Sequence, residues 1–97
     1  MKIVKTNYFN HRIIQTVPSF SGIYWLFESK CDFLKLIYIG KTCDIHRRLR
    51  EHSKRFRFDV FTYKCYPEYK LEEIEKKLLS DYFYRFGRLP EFNRQLG

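Results

Sequence analysis

Glu75 stands where a carboxylate is costly. On a helical wheel of about 100° per residue with Leu71 at zero, Ile74, Leu78, Leu79 and Tyr82 fall near 300°, 340°, 80° and 20°. Glu75 falls at about 40°, inside that apolar arc, while Glu73, Lys76 and Lys77 lie well outside it. A carboxylate turned toward a core must be paired with a cation or hold a metal ion. Glu75 is therefore either a ligand or half of a buried ion pair with a lysine or arginine. Glu72, at about 100°, sits on the edge of the arc as a solvated carboxylate or a reserve ligand. An earlier stretch repeats the pattern with bases. With Ile45 at zero, Leu49 and Phe56 lie near 40° and 20°, and Arg48 and His52 near 300° and 340°. Those two are i, i+4 neighbours leaning on the packed face. Taken alone, Arg48 reads as an ordinary surface arginine and His52 as a satisfied boundary histidine. Arg47, Arg50 and Lys54 point the other way, to solvent or to a nucleic-acid backbone.

Charge favours the second destination. The chain has 97 residues, with 19 Lys plus Arg against 11 Asp plus Glu, a formal net charge of +8. Such an excess favours a polyanionic partner, nucleic acid first and an anionic membrane second. Between Lys41 and Arg57, seven basic residues face only Asp44 and Glu51, a local net of +5. That is a plausible backbone-binding face. Lys41 itself is a turn lysine or a phosphate contact. With 44% hydrophobic and 20% aromatic residues, the chain can bury a core, which excludes wholesale disorder. Its longest uncharged stretch, 13–27, is fifteen residues broken by polar ones, too short for the roughly twenty apolar residues of a membrane span. The basic N-terminus lacks the continuous apolar core of a secretory signal. Cys31, Cys43 and Cys65 are odd in number and unpaired in spacing, which indicates neither a disulfide framework nor a cysteine-rich zinc site and fits a reducing cytoplasm.

The elements that must position these residues follow from period. Two β-branched and aromatic runs, 22–27 (GIYWLF) and 33–39 (FLKLIYI), flank a short polar connection and predict an antiparallel hairpin. Gly22 and Gly40 flank it, which suggests close backbone approach or a bulge, or for Gly40 the strand-to-helix turn. Asp44 can N-cap the first helix. A third strand is predicted over 58–66, ending at Pro67, and a second helix from about 69 to 84, with Gly87 and Pro90 breaking the chain before Asn93. Residues 1–20 have no clean period, and their role is not legible. The order strand, strand, helix, strand, helix predicts a single α/β (α+β) domain over 1–97, a small, mostly antiparallel three-stranded sheet flanked by helices.

Gly22-Ile23-Tyr24 in the first strand and Tyr38-Ile39-Gly40 in the second place their tyrosines fourteen residues apart. Lys41 stands three residues after the second tyrosine, Arg48-Leu49 ten after it, and His52 four beyond the arginine. In this register the chain resembles the GIY-YIG nuclease family. Glu75 matches the family's glutamate on a later helix, and Pro90-Glu91-Phe92-Asn93 its Pro-x-x-Asn, so the resemblance covers roughly 21–95. The stretch from His52 to Glu75 is shorter than usual, and that from Tyr82 to Leu89 longer. The wheel and the motif select the same glutamate, and the shared register of Arg48 and His52 turns both toward a functional reading.

The resemblance implies a metal-dependent DNA endonuclease that nicks one strand per active site, as a monomer or weak homodimer. Glu75 would be the sole protein ligand of one Mg²⁺ (or Mn²⁺), an ion that keeps several waters and takes few protein donors. Arg48, with Lys41, would stabilise charge on the phosphorane, since a guanidinium matches two phosphate oxygens at once. Tyr24 would be the general base toward water, its pKa of about 10 having to be lowered by Arg48, Lys41 and the metal together, with Tyr38 and His52 completing the proton network. Arg47 and Arg50 would contact the backbone, and Asn93 would hold the constellation or a phosphate unless it is a C-terminal cap. No separate recognition module is legible. A small stand-alone version would fit a phage or mobile element and a cytoplasmic setting. Two rivals remain: a non-catalytic nucleic-acid-binding module of the same fold, and a structural RNA-binding protein favoured by charge and aromatics alone.

Overall fold

The GIYWLF run shows no polar alternation because both of its faces are covered. In a computed structural model, which describes residues 5–8, 11–55 and 57–96, this run begins β2 (Gly22–Ser29). Strand β2 lies inside a four-stranded antiparallel sheet with β1 (Lys5–Tyr8), β3 (Leu34–Thr42) and β4 (Val60–Cys65), in the order β1-β4-β2-β3. Ile23, Tyr24, Trp25 and Leu26 are all fully buried. Tyr24 and Leu26 meet α1 (His11–Gln15) and α2 (Ile45–Arg55) through Ile14, Ile45 and Leu49. Ile23 and Trp25 meet α3 (Glu68–Phe86) through Leu71, Ile74 and Leu78. The two interior clusters sit on opposite faces of one sheet, as expected of a small α+β domain.

The expected hairpin, α2, β4 and α3 are all present. Asp44 caps α2, its Oδ1 accepting from the Arg47 amide at 3.0 Å. Phe56, expected on the α2 stripe, lies outside the described residues. The α3 helix ends where Gly87 adopts φ 75°, its amide donating to the Phe83 carbonyl at 2.7 Å.

Three features enlarge the expected picture. Residues 5–8 add β1 to the edge of the three expected strands, pairing with β4 from Lys5↔Tyr63 to Tyr8↔Val60. Ile14 and Val17 are buried in the core beside α2, so the segment before residue 21 is part of the domain and not an appendage. After Pro90 the chain forms α4 (Glu91–Leu96), which packs on β3.

The hairpin register shifts between Leu26 and Phe27: Leu26 pairs with Tyr38, but Phe27 pairs with Leu36. Ile37 is therefore an extra residue on β3. It lets Ile37 and Tyr38 both pack on the α1/α2 face, while Leu36 and Ile39 join the α3 face. Gly40 lies within β3, opposite Tyr24, rather than at the turn to α2. Among the described residues no helix is long and apolar enough to cross a membrane. Cys31, Cys43 and Cys65 are exposed free thiols.

Candidate active site

Tyr24 and Tyr38 come from adjacent strands onto the same face of the sheet, where α2 brings His52 against both. Ring centroids are 5.8 Å apart for Tyr24 and Tyr38, 5.5 Å for Tyr24 and His52, and 5.2 Å for Tyr38 and His52. Tyr24 Oη and His52 Nε2 are hydrogen-bonded at 2.7 Å. Gly40 makes this possible. A Cβ at that position would lie 2.6 Å from Tyr24 Cζ and Oη and 2.7 Å from Tyr38 Cε2. The glycine of the second tripeptide is thus the space that the tyrosine hydroxyl occupies.

Burial dominates the ionisation of this cluster. The Tyr24 phenol is held far above its usual range, first by desolvation, then by Tyr38 through its charge and a hydrogen bond. The positive charge of Arg48 acts in the opposite direction but does not prevail, and Glu75 adds to the rise. Of the charges expected to lower the Tyr24 pKa together, Arg48 alone does not suffice: loss of hydration outweighs the guanidinium, and Tyr24 keeps its proton in the resting protein. His52 is pushed down to about 4, again first by burial and then by Arg48 and Arg55. It is a neutral imidazole at pH 7.

Because the His52 pKa lies below its ordinary value, the unfolded chain takes up that proton first as pH falls. Its contribution to stability is complete above about pH 6.5 and is lost between there and about 4. The loss amounts to up to about 3 kcal/mol. Urea unfolding of wild type and His52→Gln at pH 7 and pH 4.5 is expected to show the wild type losing about 2 kcal/mol more than the variant. Parallel losses in the two proteins would refute this account of His52.

Charged groups surround the buried cluster. Arg48, on α2, donates from Nη1 to Glu51 Oε1 at 3.2 Å. Glu51 was not singled out from the sequence, although its i+3 spacing from Arg48 is the signal for such a pair. Glu75, on α3, is 21% exposed, and its Oε1 lies 3.5 Å from Nζ of Lys41, which is 43% exposed. Lys41 follows Gly40 on β3 and pairs with Ile23, which turns it toward α3. The inward-leaning carboxylate read from the helical wheel is thus half-buried and paired with a lysine. Arg48 and Glu75 both lie close enough to Tyr24 for their charges to act on its phenol.

Tyr24, Tyr38 and His52 therefore form one cluster on the α2 face, with Arg48 and Glu75 within electrostatic reach of Tyr24, while Lys41 joins from the α3 face only through its pair with Glu75. Arg47 and Arg50 lie exposed on the outer side of α2. Asn93 is elsewhere engaged. Its Oδ1 accepts from the Ile39 amide at 2.9 Å and its Nδ2 donates to the Ile39 carbonyl at 2.8 Å. On the outer edge of β3 it takes the place of a missing strand neighbour. Lys35 and Glu91 pair beside it at 3.1 Å. Of the two roles expected for Asn93, holding the constellation agrees with this clasp. Direct phosphate binding does not, because the buried amide is committed to the β3 main chain on either side of which Tyr38 and Gly40 stand.

Among the described residues no three His, Cys, Asp or Glu side chains converge as a metal cage. Glu75 by contrast offers a single hard oxygen donor at the border of the buried cluster, the donor set of a water-rich Mg²⁺ site rather than of a structural metal. The chain matches no protein-family profile, curated protein or solved structure.

Proposed function

We propose that this protein is a metal-dependent endonuclease of the GIY-YIG kind, hydrolysing phosphodiester bonds of DNA one strand at a time. The observation that carries the reading is the buried Tyr24–His52 hydrogen bond beside Tyr38, with Arg48 and Glu75 both acting on it. A buried tyrosine hydroxyl bonded to a neutral imidazole, on a helix that also carries Arg47, Arg48 and Arg50, offers a path for a proton.

In this reading Tyr24 is a relay rather than a resting phenolate. Tyr24 Oη takes a proton from the attacking water as its own proton passes to His52 Nε2, in the tautomer protonated at Nδ1. The oxygen of that water then forms the new bond to phosphorus, and the bond to the leaving oxygen breaks. A base must be unprotonated to serve at neutral pH, which the depressed pKa of His52 ensures. Arg48 and Lys41 neutralise the charge that develops on the phosphoryl oxygens. Both must turn from their resting partners, Glu51 and Glu75, to do so. These pairs are half-exposed and hold their partners weakly. Glu75 would hold the one Mg²⁺ (or Mn²⁺), which would supply charge neutralisation at the phosphate and leaving group.

Conversion of supercoiled plasmid with Mg²⁺ or with EDTA tests this. The wild type is expected to give open circle only with Mg²⁺, and Tyr24→Phe to nick about a hundredfold more slowly, the usual weight of general acid–base catalysis. Retention of most activity by Tyr24→Phe would remove the relay. Direct linear product would mark a dimer. Absence of metal-dependent cutting on relaxed, supercoiled and branched substrates would favour a second reading, a nucleic-acid-binding module without chemistry. That reading has its own support in the Lys41–Glu75 pair, which satisfies the carboxylate without a metal.

A further inference from the structure

We propose that the corner where β4 turns into α3 is a binding groove for single-stranded nucleic acid, separate from the tyrosine cluster and independent of whether the protein cuts. Three aromatic rings mark it. Phe20 is 65% and Tyr69 81% exposed, and Tyr66 stands half-buried between them. A cavity of about 350 Å³ opens between Phe20 and Tyr66, and another of about 370 Å³ between Tyr66, Tyr69 and Ile74. Both cavities are lined by Tyr66, so its ring stands between them.

The backbone under the middle ring is fixed. The Tyr66 amide donates to the Ser21 carbonyl at 3.1 Å, and the Ser21 hydroxyl donates to the Tyr66 carbonyl at 2.6 Å. This reciprocal pair ties the end of β4 to the start of β2, so the backbone that carries the ring is fixed before any ligand arrives. Ammonium groups alternate with the rings. Lys64 Nζ lies 5.2 Å from the Tyr66 centroid, Lys70 Nζ lies 5.8 Å from that of Tyr69, and Lys77, which pairs with Asp81 Oδ2 at 3.7 Å, lines the far wall. Glu73 is the single acidic residue on that wall.

Base-stacking platforms interleaved with cations are what an unpaired strand requires, since every base has a π-face and every linkage a charge. An apolar protein segment would leave the Lys64 and Lys70 ammonium groups desolvated, which is costly. A rigid duplex keeps its bases stacked on one another and away from the rings. The groove also begins near the candidate site. Lys41 and Lys64 both pair with Ile23 from opposite sides, so they stand two strand spacings apart, about 10 Å.

The test is fluorescence anisotropy with labelled (dT)15, (rU)15 and a 15-base-pair duplex, with wild type in EDTA so that no cleavage intervenes. The variants are Tyr69→Ala and Lys70→Ala, whose exposed side chains leave the core untouched. Tyr69→Ala is expected to weaken (dT)15 or (rU)15 binding about tenfold, with duplex affinity changed less than twofold. Lys70→Ala is expected to flatten the salt dependence of single-strand binding by about one ion. Whichever of (dT)15 and (rU)15 loses more affinity identifies the strand chemistry. Inorganic polyphosphate, which has no bases, is expected to bind Tyr69→Ala and wild type equally. Single-strand affinity unchanged in both variants, or an equal loss for duplex and polyphosphate in Tyr69→Ala, would overturn the proposal. Absence of plasmid nicking would leave this test intact, so the two readings fail separately.

Discussion

Glu75→Gln is expected to lower Mg²⁺-dependent nicking by about a thousandfold, the rate equivalent of the several kcal/mol that a metal ion supplies to a charged transition state. The substitution keeps side-chain size and its place between Ile74 and Leu78 on α3. It removes the hard anionic donor, and an amide oxygen is a poor replacement at a site with one protein ligand. The fold should barely notice. The lost partner, Lys41, is 43% exposed and 3.5 Å away, and such a pair contributes at most about 1 kcal/mol. An unchanged melting temperature beside abolished nicking would therefore separate chemistry from stability. Equal nicking by wild type and variant would end the assignment of Glu75 and move the test to Glu72. If Glu75 serves only Lys41, DNA affinity should rise slightly in Glu75→Gln, because the freed ammonium meets phosphate without a competitor.

Gly40→Ala is expected to lower stability by about 1–3 kcal/mol, the usual cost of overpacking a core. For a domain of this size that is a fall in melting temperature of roughly 10 °C. The same methyl group should also abolish activity. The added Cβ would meet Tyr24 Cζ and Oη at 2.6 Å and Tyr38 Cε2 at 2.7 Å, and both strands are held in place. Tyr24 is buried in β2, and the strand that carries Tyr38 is held from outside by the Asn93 clasp on Ile39. The hydroxyl must leave His52 Nε2 to make room. Thermal unfolding and plasmid nicking measure the two effects on one preparation. Gly87→Ala is the contrast: nothing lies within 4 Å of its added Cβ, so only the left-handed φ of 75° resists, and activity should survive. A Gly40→Ala protein with wild-type melting and nicking would mean that the cluster repacks freely and that the Tyr24–His52 bond is incidental.

Much of this arrangement could be read along the chain because it is local. The stripe of Ile45 and Leu49 and the cap Asp44 belong to one helix, and each β-branched and aromatic run maps onto one strand. Arg48 and His52 are neighbours through helical pitch alone. The inward lean of Glu75 follows from its angle to Leu71 and Leu78. Even the packing of Tyr24 beside Tyr38 follows once 22–27 and 34–42 are paired.

Contacts between distant residues were decided elsewhere. Nothing in residues 5–8 announces a strand, since an edge strand needs only a partner and β4 supplies it. The short α4 has too few turns to show a period, and Asn93 finds Ile39 across 54 residues. The extra residue Ile37 looks like any β-branched strand residue, yet the shift it introduces sorts β3 between the two faces of the sheet. Electrostatics was the least legible of all. Arg48, Lys41 and Tyr24 are visible in the chain as two cations beside a phenol, whose pKa they and a bound metal would together have to lower. Only the packed structure shows the phenol stripped of water, and desolvation then outweighs the neighbouring charge. Residue types and spacing thus carry the chemistry available to this protein. Burial and long-range pairing decide which proton is held, which carboxylate meets which lysine, and where the tyrosine hydroxyl has room to stand.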